Sequence, residues 1–215
     1  MSWTLHSAWR ATAPYRVRIG LQLKGATYDY AALDLIKGDQ RQAAYRAVNP
    51  QGLTPALDLG DGTVLTQSLS ILEWLEETRP EPPILPHGAL ERATVRTMAN
   101  IIACDIHPLN NTRIGRKLDK LGLSQDVILH EWIQVWIKDG FDALEPMVAR
   151  HAGRFAFGDL PTIADCCLIP QVYSATRYEV SLDPYPAIRG VAERASEHPA
   201  FQAAHPNKQP DAKPL

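Results

Sequence analysis

The chain has 215 residues, 45% of them hydrophobic, and a formal net charge of −2. That balance gives no basis for binding nucleic acid or an anionic membrane surface, and the apolar runs are too short and too broken by charge to span a bilayer. The length allows one long domain or two short ones around a substantial core. Met1-Ser2-Trp3-Thr4-Leu5-His6 lacks a basic stretch followed by an apolar run, so export is not expected. Cys104, Cys166 and Cys167 show no CxxC spacing, which fits a reducing, cytoplasmic setting. The pair at 166 and 167 lies in an apolar stretch and reads as core.

In chain order, Trp3–Ser7 reads as a short strand. Residues 15–24 have helical spacing, with Val17, Leu21 and Lys24 on one side, Ile19 and Leu23 nearby, and Gly25 as the stop. Residues 28–35 alternate like a strand, and 42–48 make a short helix ended by Asn49-Pro50. Residues 56–59 and 63–66 frame a hairpin at Asp61-Gly62, and Ser68–Thr78 is a third helix. The order β-α-β-α-β-β-α predicts a small α/β layer domain over residues 1–79. Pro80, Pro82, Pro83 and Pro86 stiffen a linker at 80–87. Beyond it, 88–215 reads as an all-helical domain. One helix runs from 89 to about 118, bent or interrupted at Pro108, another covers 125–148, and shorter ones follow Thr162 and Pro186. Arg16 and Arg18 flank the apolar stripe of the first helix and read as partners in structural ion pairs. The polar tail from Asn207 onward reads as disordered.

Thr54-Pro55-Ala56-Leu57 reads as a buried strand entered through a proline, which gives up a donor and often takes the cis form, exposing neighbouring amides. Gln67-Ser68 opens a helix whose first amides and positive dipole end suit a carboxylate. Together they fit a peptide-like ligand with a charged end, glutathione being the natural candidate. Ordinary strand–turn–helix capping is the competing reading of the same segment. Thr162-x-x-Asp165 has the form of a capping box and is assigned to structure.

Several stretches carry a family resemblance, in order along almost the whole chain. They include Tyr15-Arg16-Val17-Arg18-Ile19, Asn49-Pro50-Gln51-Gly52-Leu53-Thr54-Pro55-Ala56-Leu57 and Gln67-Ser68-Leu69-Ser70-Ile71-Leu72-Glu73-Trp74-Leu75. Asp105-Ile106-His107-Pro108-Leu109-Asn110-Asn111, Gly158-Asp159-Leu160-Pro161-Thr162-Ile163-Ala164-Asp165 and Ile169-Pro170-Gln171-Val172 follow, and Asp183-Pro184-Tyr185-Pro186 and His205-Pro206 close the series. The sequence resembles the zeta class of glutathione transferases, which includes maleylacetoacetate and maleylpyruvate isomerases.

The resemblance implies the glutathione transferase fold, a thioredoxin-like domain followed by an all-helical one, assembled as a homodimer, with glutathione as cofactor and no metal. In that fold the reactive group sits in the loop after the first strand, here Trp9-Arg10-Ala11-Thr12-Ala13-Pro14. The class typically carries Ser-Ser-Cys there. This chain has Ala11-Thr12-Ala13, so Thr12 is the remaining hydroxyl able to steady a thiolate, assisted by Arg10. A site that binds glutathione but activates it poorly is the rival reading.

By the same resemblance, glutathione contacts fall on Thr12, Gln40, Thr54, Pro55, Gln67 and Ser68, and on Asp105, His107 and Asn111 from the helical domain. Arg10, Arg113 and Arg177 would hold the carboxylates of a small dicarboxylic keto acid, because the planar guanidinium pairs bidentately with them. The implied activity is a glutathione-dependent cis–trans isomerisation of a maleyl keto acid in aromatic degradation. Conjugation or dehalogenation of small electrophiles such as α-halo acids remains open, as does a non-catalytic, glutathione-binding role.

Overall fold

The computed structural model describes residues 2–213, and the chain divides into two compact units. One runs to Ile84 and is joined by the residues from Glu197 onward; the other is Leu85–Ser196. The helical domain expected over 88–215 is therefore corrected at its end, because the last stretch of chain packs with the first unit.

In the first unit, β1 (Trp3–Ser7), α1 (Thr12–Leu23), β2 (Tyr28–Ala32), α2 (Ala43–Val48), β3 (Ala56–Asp58), β4 (Val64–Thr66) and α3 (Ser68–Thr78) follow the expected order. The four-stranded sheet is ordered β2-β1-β3-β4, with β1 parallel to β2 and β3 antiparallel to both β1 and β4. Alternation sets its register. Leu5 lies opposite Tyr30 on one side and Leu57 on the other, and both leucines are fully buried. Val17, Ile19 and Leu21 of α1 and Ile71, Leu72 and Leu75 of α3 are buried as well, each contributing about 1.5–3 kcal/mol by leaving water. Gly20 lets the two helices approach, since a Cβ there would collide with the Leu72 side chain.

Lys24 ends α1 as its C-cap and is buried rather than exposed. Its ammonium donates to Glu76 Oε2 at 2.7 Å and to the carbonyl of Pro82 at 2.6 Å. The proline segment is thus bound to the first unit at its start.

Arg18 is fully buried. The expected ion pairs are replaced by bonds to uncharged acceptors, namely the carbonyls of Ala204 at 3.0 Å, Ala8 at 3.4 Å and Trp9 at 2.7 Å, and Ser7 Oγ at 3.1 Å. The carbonyl of Ala204 belongs to α10 (Pro199–Ala204), which packs on α1. A 3-10 turn at Pro206–Lys208 follows. Gln209 Nε2 then donates to the carbonyls of Ala203 and His205 at 3.0 and 2.9 Å. The tail expected to be disordered from Asn207 is ordered through Lys213, whose ammonium pairs with Asp34 at 3.0 Å.

In the second unit, α4 (Ala89–Asn100) continues into a π-helical segment, Ile101–Ile106, and stops before α5 (Thr112–Lys120). Of the bend or interruption expected at Pro108 in the stretch from 89 to about 118, the structure has the interruption, with α4 and its π-helical extension on one side and α5 on the other. A short α6 (Gln125–Val127) passes through a second π-helical segment, Ile128–Ile133, into α7 (Gln134–His151); α8 (Ile163–Arg177) and α9 (Pro186–Ser196) complete the unit. Ile102, Ile106, Ile137, Phe141, Leu144, Cys166 and Cys167 lie in its core. No helix among the described residues is long and apolar enough to cross a membrane.

The capping box opens α8 as expected. Asp165 accepts from the Ala156 amide at 2.7 Å, and from the Thr162 amide and hydroxyl at 2.8 and 3.0 Å. Burial pushes its carboxyl up to about 6 against the pull of these donors. Asp165→Ala leaves two buried amides without acceptors and is expected to cost about 2–3 kcal/mol. Because the folded-state value is raised, the carboxyl stabilises most at low pH. The penalty measured by urea unfolding should therefore shrink as pH rises from about 4 through about 6.

Candidate functional site

Helix α1 starts at Thr12, because Pro14 is tolerated in a first turn, where its missing N–H forfeits no intrahelical bond. The N-cap is Ala11, so no side chain caps the helix, and the Thr12 and Ala13 amides have no acceptor within it. Thr12 is only 7% exposed, and it sits at the positive end of the helix dipole. In the preceding loop the Ala11 amide donates to the Ala8 carbonyl at 3.1 Å, closing a turn. The Arg10 guanidinium lies over the Trp9 ring, 5.4 Å from its centre.

Gln67, the N-cap of α3, has φ 66° and ψ 117°, a conformation that costs a non-glycine residue on the order of 1–3 kcal/mol. It is held by a bond from its Nε2 to Gln51 Oε1 at 2.8 Å and by its carbonyl, which accepts from Ile71 N at 3.0 Å. As in α1, no side chain caps the helix. Ser68 is buried, and its Oγ accepts from Arg16 Nη1 at 3.2 Å. A buried guanidinium thus stands beside open amides, an arrangement suited to a carboxylate.

Arg16, read from the sequence as a structural ion-pair partner, is the further residue that the structure places at this helix start. Its spacing of four from Thr12 puts both on one face of α1, a signal that could have found it. The Thr54–Pro55 peptide is cis, directly before β3, and Pro55 is buried. Gln40 lies in the 3-10 turn Asp39–Arg41, and its Oε1 is buried with no hydrogen-bond partner among the described residues. Its carbonyl lies 3.0 Å from where a Cβ on Gly52 would sit, so a side chain there would crowd this loop.

The second unit carries its own group. Asp105 is exposed at the end of the first π-helical segment. The amide of half-buried His107 donates to the Ile102 carbonyl at 2.9 Å. Asn111 is the N-cap of α5, its Oδ1 accepting from the Arg113 amide at 3.0 Å, which leaves its Nδ2 to serve any other partner. The Arg113 side chain is exposed in that first turn. Arg177, at the end of α8, is exposed and lies over the rings of Tyr173 and Tyr178 at 5.9 and 5.6 Å. Within the first unit, the structure thus brings Arg16, Gln67 and Ser68 together at the start of α3, with Thr12 one helical turn from Arg16.

Residues 13–78 match the family model of the glutathione S-transferase N-terminal domain. Maleylpyruvate isomerase of Ralstonia is 47% identical over 97% of this chain and 99% of its own length. A holo structure of maleylpyruvate isomerase, described as a bacterial zeta-class glutathione S-transferase, superposes with a TM-score of 0.95 at 47% identity, covering 98% of this chain and 100% of that one. Maleylacetoacetate isomerase of Anaeromyxobacter dehalogenans, with glutathione bound in its active site, gives a TM-score of 0.89 at 44% identity, covering 99% of this chain and 98% of that one. The two uncapped helix starts, the cis proline and the buried arginine therefore sit in a chain that belongs to the zeta class of glutathione transferases.

Proposed function

We propose that this protein is a glutathione-dependent cis–trans isomerase of a small maleyl keto acid, maleylpyruvate or maleylacetoacetate, in aromatic degradation. One observation carries the reading: a buried hydroxyl, Thr12, at an uncapped helix N-terminus whose loop contains no cysteine. Any sulfur chemistry here needs a borrowed thiol. Relatives named for this reaction, one with glutathione bound, support it.

The residues fit the tripeptide. The open amides of α3, Ser68 and the buried Arg16 would take its γ-glutamyl carboxylate, and the backbone at Thr54, before Pro55, its cysteinyl unit. Gln40 and Gln67 would bind alongside. When bound, glutathione supplies a thiolate that adds reversibly to the cis double bond, which lets that bond turn before the thiol is returned. Thr12 and the first amides of α1 keep the sulfur deprotonated by donating to its charged form. Arg10 takes part in this and, with Arg113 and Arg177, holds the substrate carboxylates. Fixed guanidinium groups also stabilise negative charge as it moves to the ketone oxygen, worth a few kcal/mol per group. Asp105, His107 and Asn111 would contribute binding contacts from the helical domain. The expected assembly is a homodimer, in the cytoplasm.

The test is the glutathione-dependent loss of maleylpyruvate or maleylacetone absorbance, with free glutathione measured before and after. Isomerisation returns all of it. Turnover no faster than the uncatalysed rate overturns the reading, and stoichiometric consumption assigns the protein to conjugation instead.

A further inference from the structure

The loop carrying Arg10 and Thr12 is held by the far end of the chain. The Trp9 amide donates to Asp211 Oδ2 at 3.0 Å, and the Trp9 carbonyl accepts from Arg18 Nη2 at 2.7 Å. Both peptide units flanking Trp9 are therefore fixed, one by a carboxylate and one by a buried guanidinium. Asp211 Oδ1 accepts from the Tyr30 hydroxyl at 2.7 Å, tying the same carboxylate to β2. Burial raises the Tyr30 phenol well above its ordinary value, so it remains a donor. Arg18 also donates to Ser7 Oγ and to the Ala8 carbonyl, the acceptor that closes the loop's turn with Ala11.

The Trp9–Arg10 peptide is trans. With its carbonyl turned toward Arg18, its N–H, that of Arg10, points the opposite way. The clamp thus sets the orientation of the backbone that leads into Thr12. Asp211 is delivered by the 3-10 turn at Pro206–Lys208 and by Gln209, bonded back to Ala203 and His205, so the clamp is built into ordered chain.

We propose that Asp211, acting with Arg18 through Trp9, is a positioning residue for the reaction: it holds the loop so that Arg10 and the Thr12 hydroxyl are preset toward the thiol. The proposal rests on the role given above to Thr12 and Arg10. Neither Asp211 nor Arg18 touches a reacting atom. Their effect is on alignment, where a displacement near 1 Å lowers rates by up to about a hundredfold.

The test compares Asp211→Ala, Asp211→Asn and, as a control on tail docking, Lys213→Ala. In ligand-free protein, amide exchange at Trp9 and Ala11, the loop amides that donate to Asp211 and to the Ala8 carbonyl, should speed up about tenfold or more in Asp211→Ala, with Leu5 in the middle of β1 unchanged. Turnover should fall about tenfold, with the KM for the keto acid changed less than about threefold. Asp211→Asn keeps one acceptor oxygen and should recover part of both losses, and it serves as the second variant should Asp211→Ala fold poorly. Lys213→Ala should match the parent protein. Unaltered exchange at Trp9 and Ala11 in both Asp211 variants overturns the clamp, as does a speed-up that spreads equally through β1. Faster loop exchange with unchanged turnover overturns the positioning role. A parent protein with no isomerase turnover defeats the functional reading instead. The clamp is then judged on exchange alone.

Discussion

Glu76→Ala is expected to destabilise the first unit by about 3–5 kcal/mol, because it leaves an ammonium buried without its counter-charge. The Lys24 side chain has no solvent exposure and that of Glu76 is 8% exposed, so water does not screen the pair. The same carboxylate oxygen accepts from the Ile84 amide at 2.9 Å, and the ammonium reaches the Pro80 and Pro82 carbonyls at 3.4 and 2.6 Å. Removing the carboxylate therefore also takes the acceptor from the Ile84 amide, leaving the lysine as the remaining anchor of the proline segment. Replacing both members, Lys24→Met with Glu76→Leu, should recover only part of the loss, since no charge remains buried but the Ile84 amide and the Pro82 carbonyl lose their partners. Urea unfolding of the single and double variants is the measurement. A single-variant loss under about 1 kcal/mol would mean that the lysine escapes to solvent and that the pair contributes little.

Thr12→Ala is expected to lower turnover by about tenfold to a hundredfold, while glutathione affinity stays within about threefold. A hydrogen bond to a charged group is worth about 1.5–3 kcal/mol, and this one would be made to the thiolate and not to the thiol. The sign of the pH effect follows. Without the donor the charged form is less favoured, the thiol's pKa rises, and the pH–rate profile moves to higher pH. Thr12→Ser retains the hydroxyl and should stay near the parent rate. Unchanged turnover in Thr12→Ala would remove the hydroxyl from the mechanism and leave the helix amides and Arg10 as the only activators.

What could be seen in the sequence were the features set by neighbours along the chain. Helix α3 runs over Ser68–Thr78 as expected, because its apolar spacing and polar opening are local. The Thr162–Asp165 box was legible for the same reason: donor and acceptor stand three residues apart. Burial of Arg16 and Arg18 was not legible. Periodicity registers an arginine as polar, and the acceptors that make its burial tolerable lie at Ser68 and Ala204, far along the chain. The tail was misread likewise. Its composition is that of a solvated end, yet Asp211 and Gln209 find their partners inside the first unit. The π-helical segments escaped notice because each covers only 6 residues, too few for a changed period to stand out from the helices that flank it. The candidate site divided along the same line. Gln67, Ser68 and the cis proline were visible from turn chemistry, whereas Arg10, Arg113 and Arg177 came from family likeness alone.

The joining of the residues from Glu197 onward to the first unit bears on the order in which its contacts form. The Ala204 carbonyl that Arg18 meets lies 186 residues away, and the Asp211 carboxylate that Trp9 meets lies 202 residues away. Closing so long a loop costs entropy before either bond gives anything back, so these two contacts belong to the late events of refolding, after local helices and the hairpin have formed.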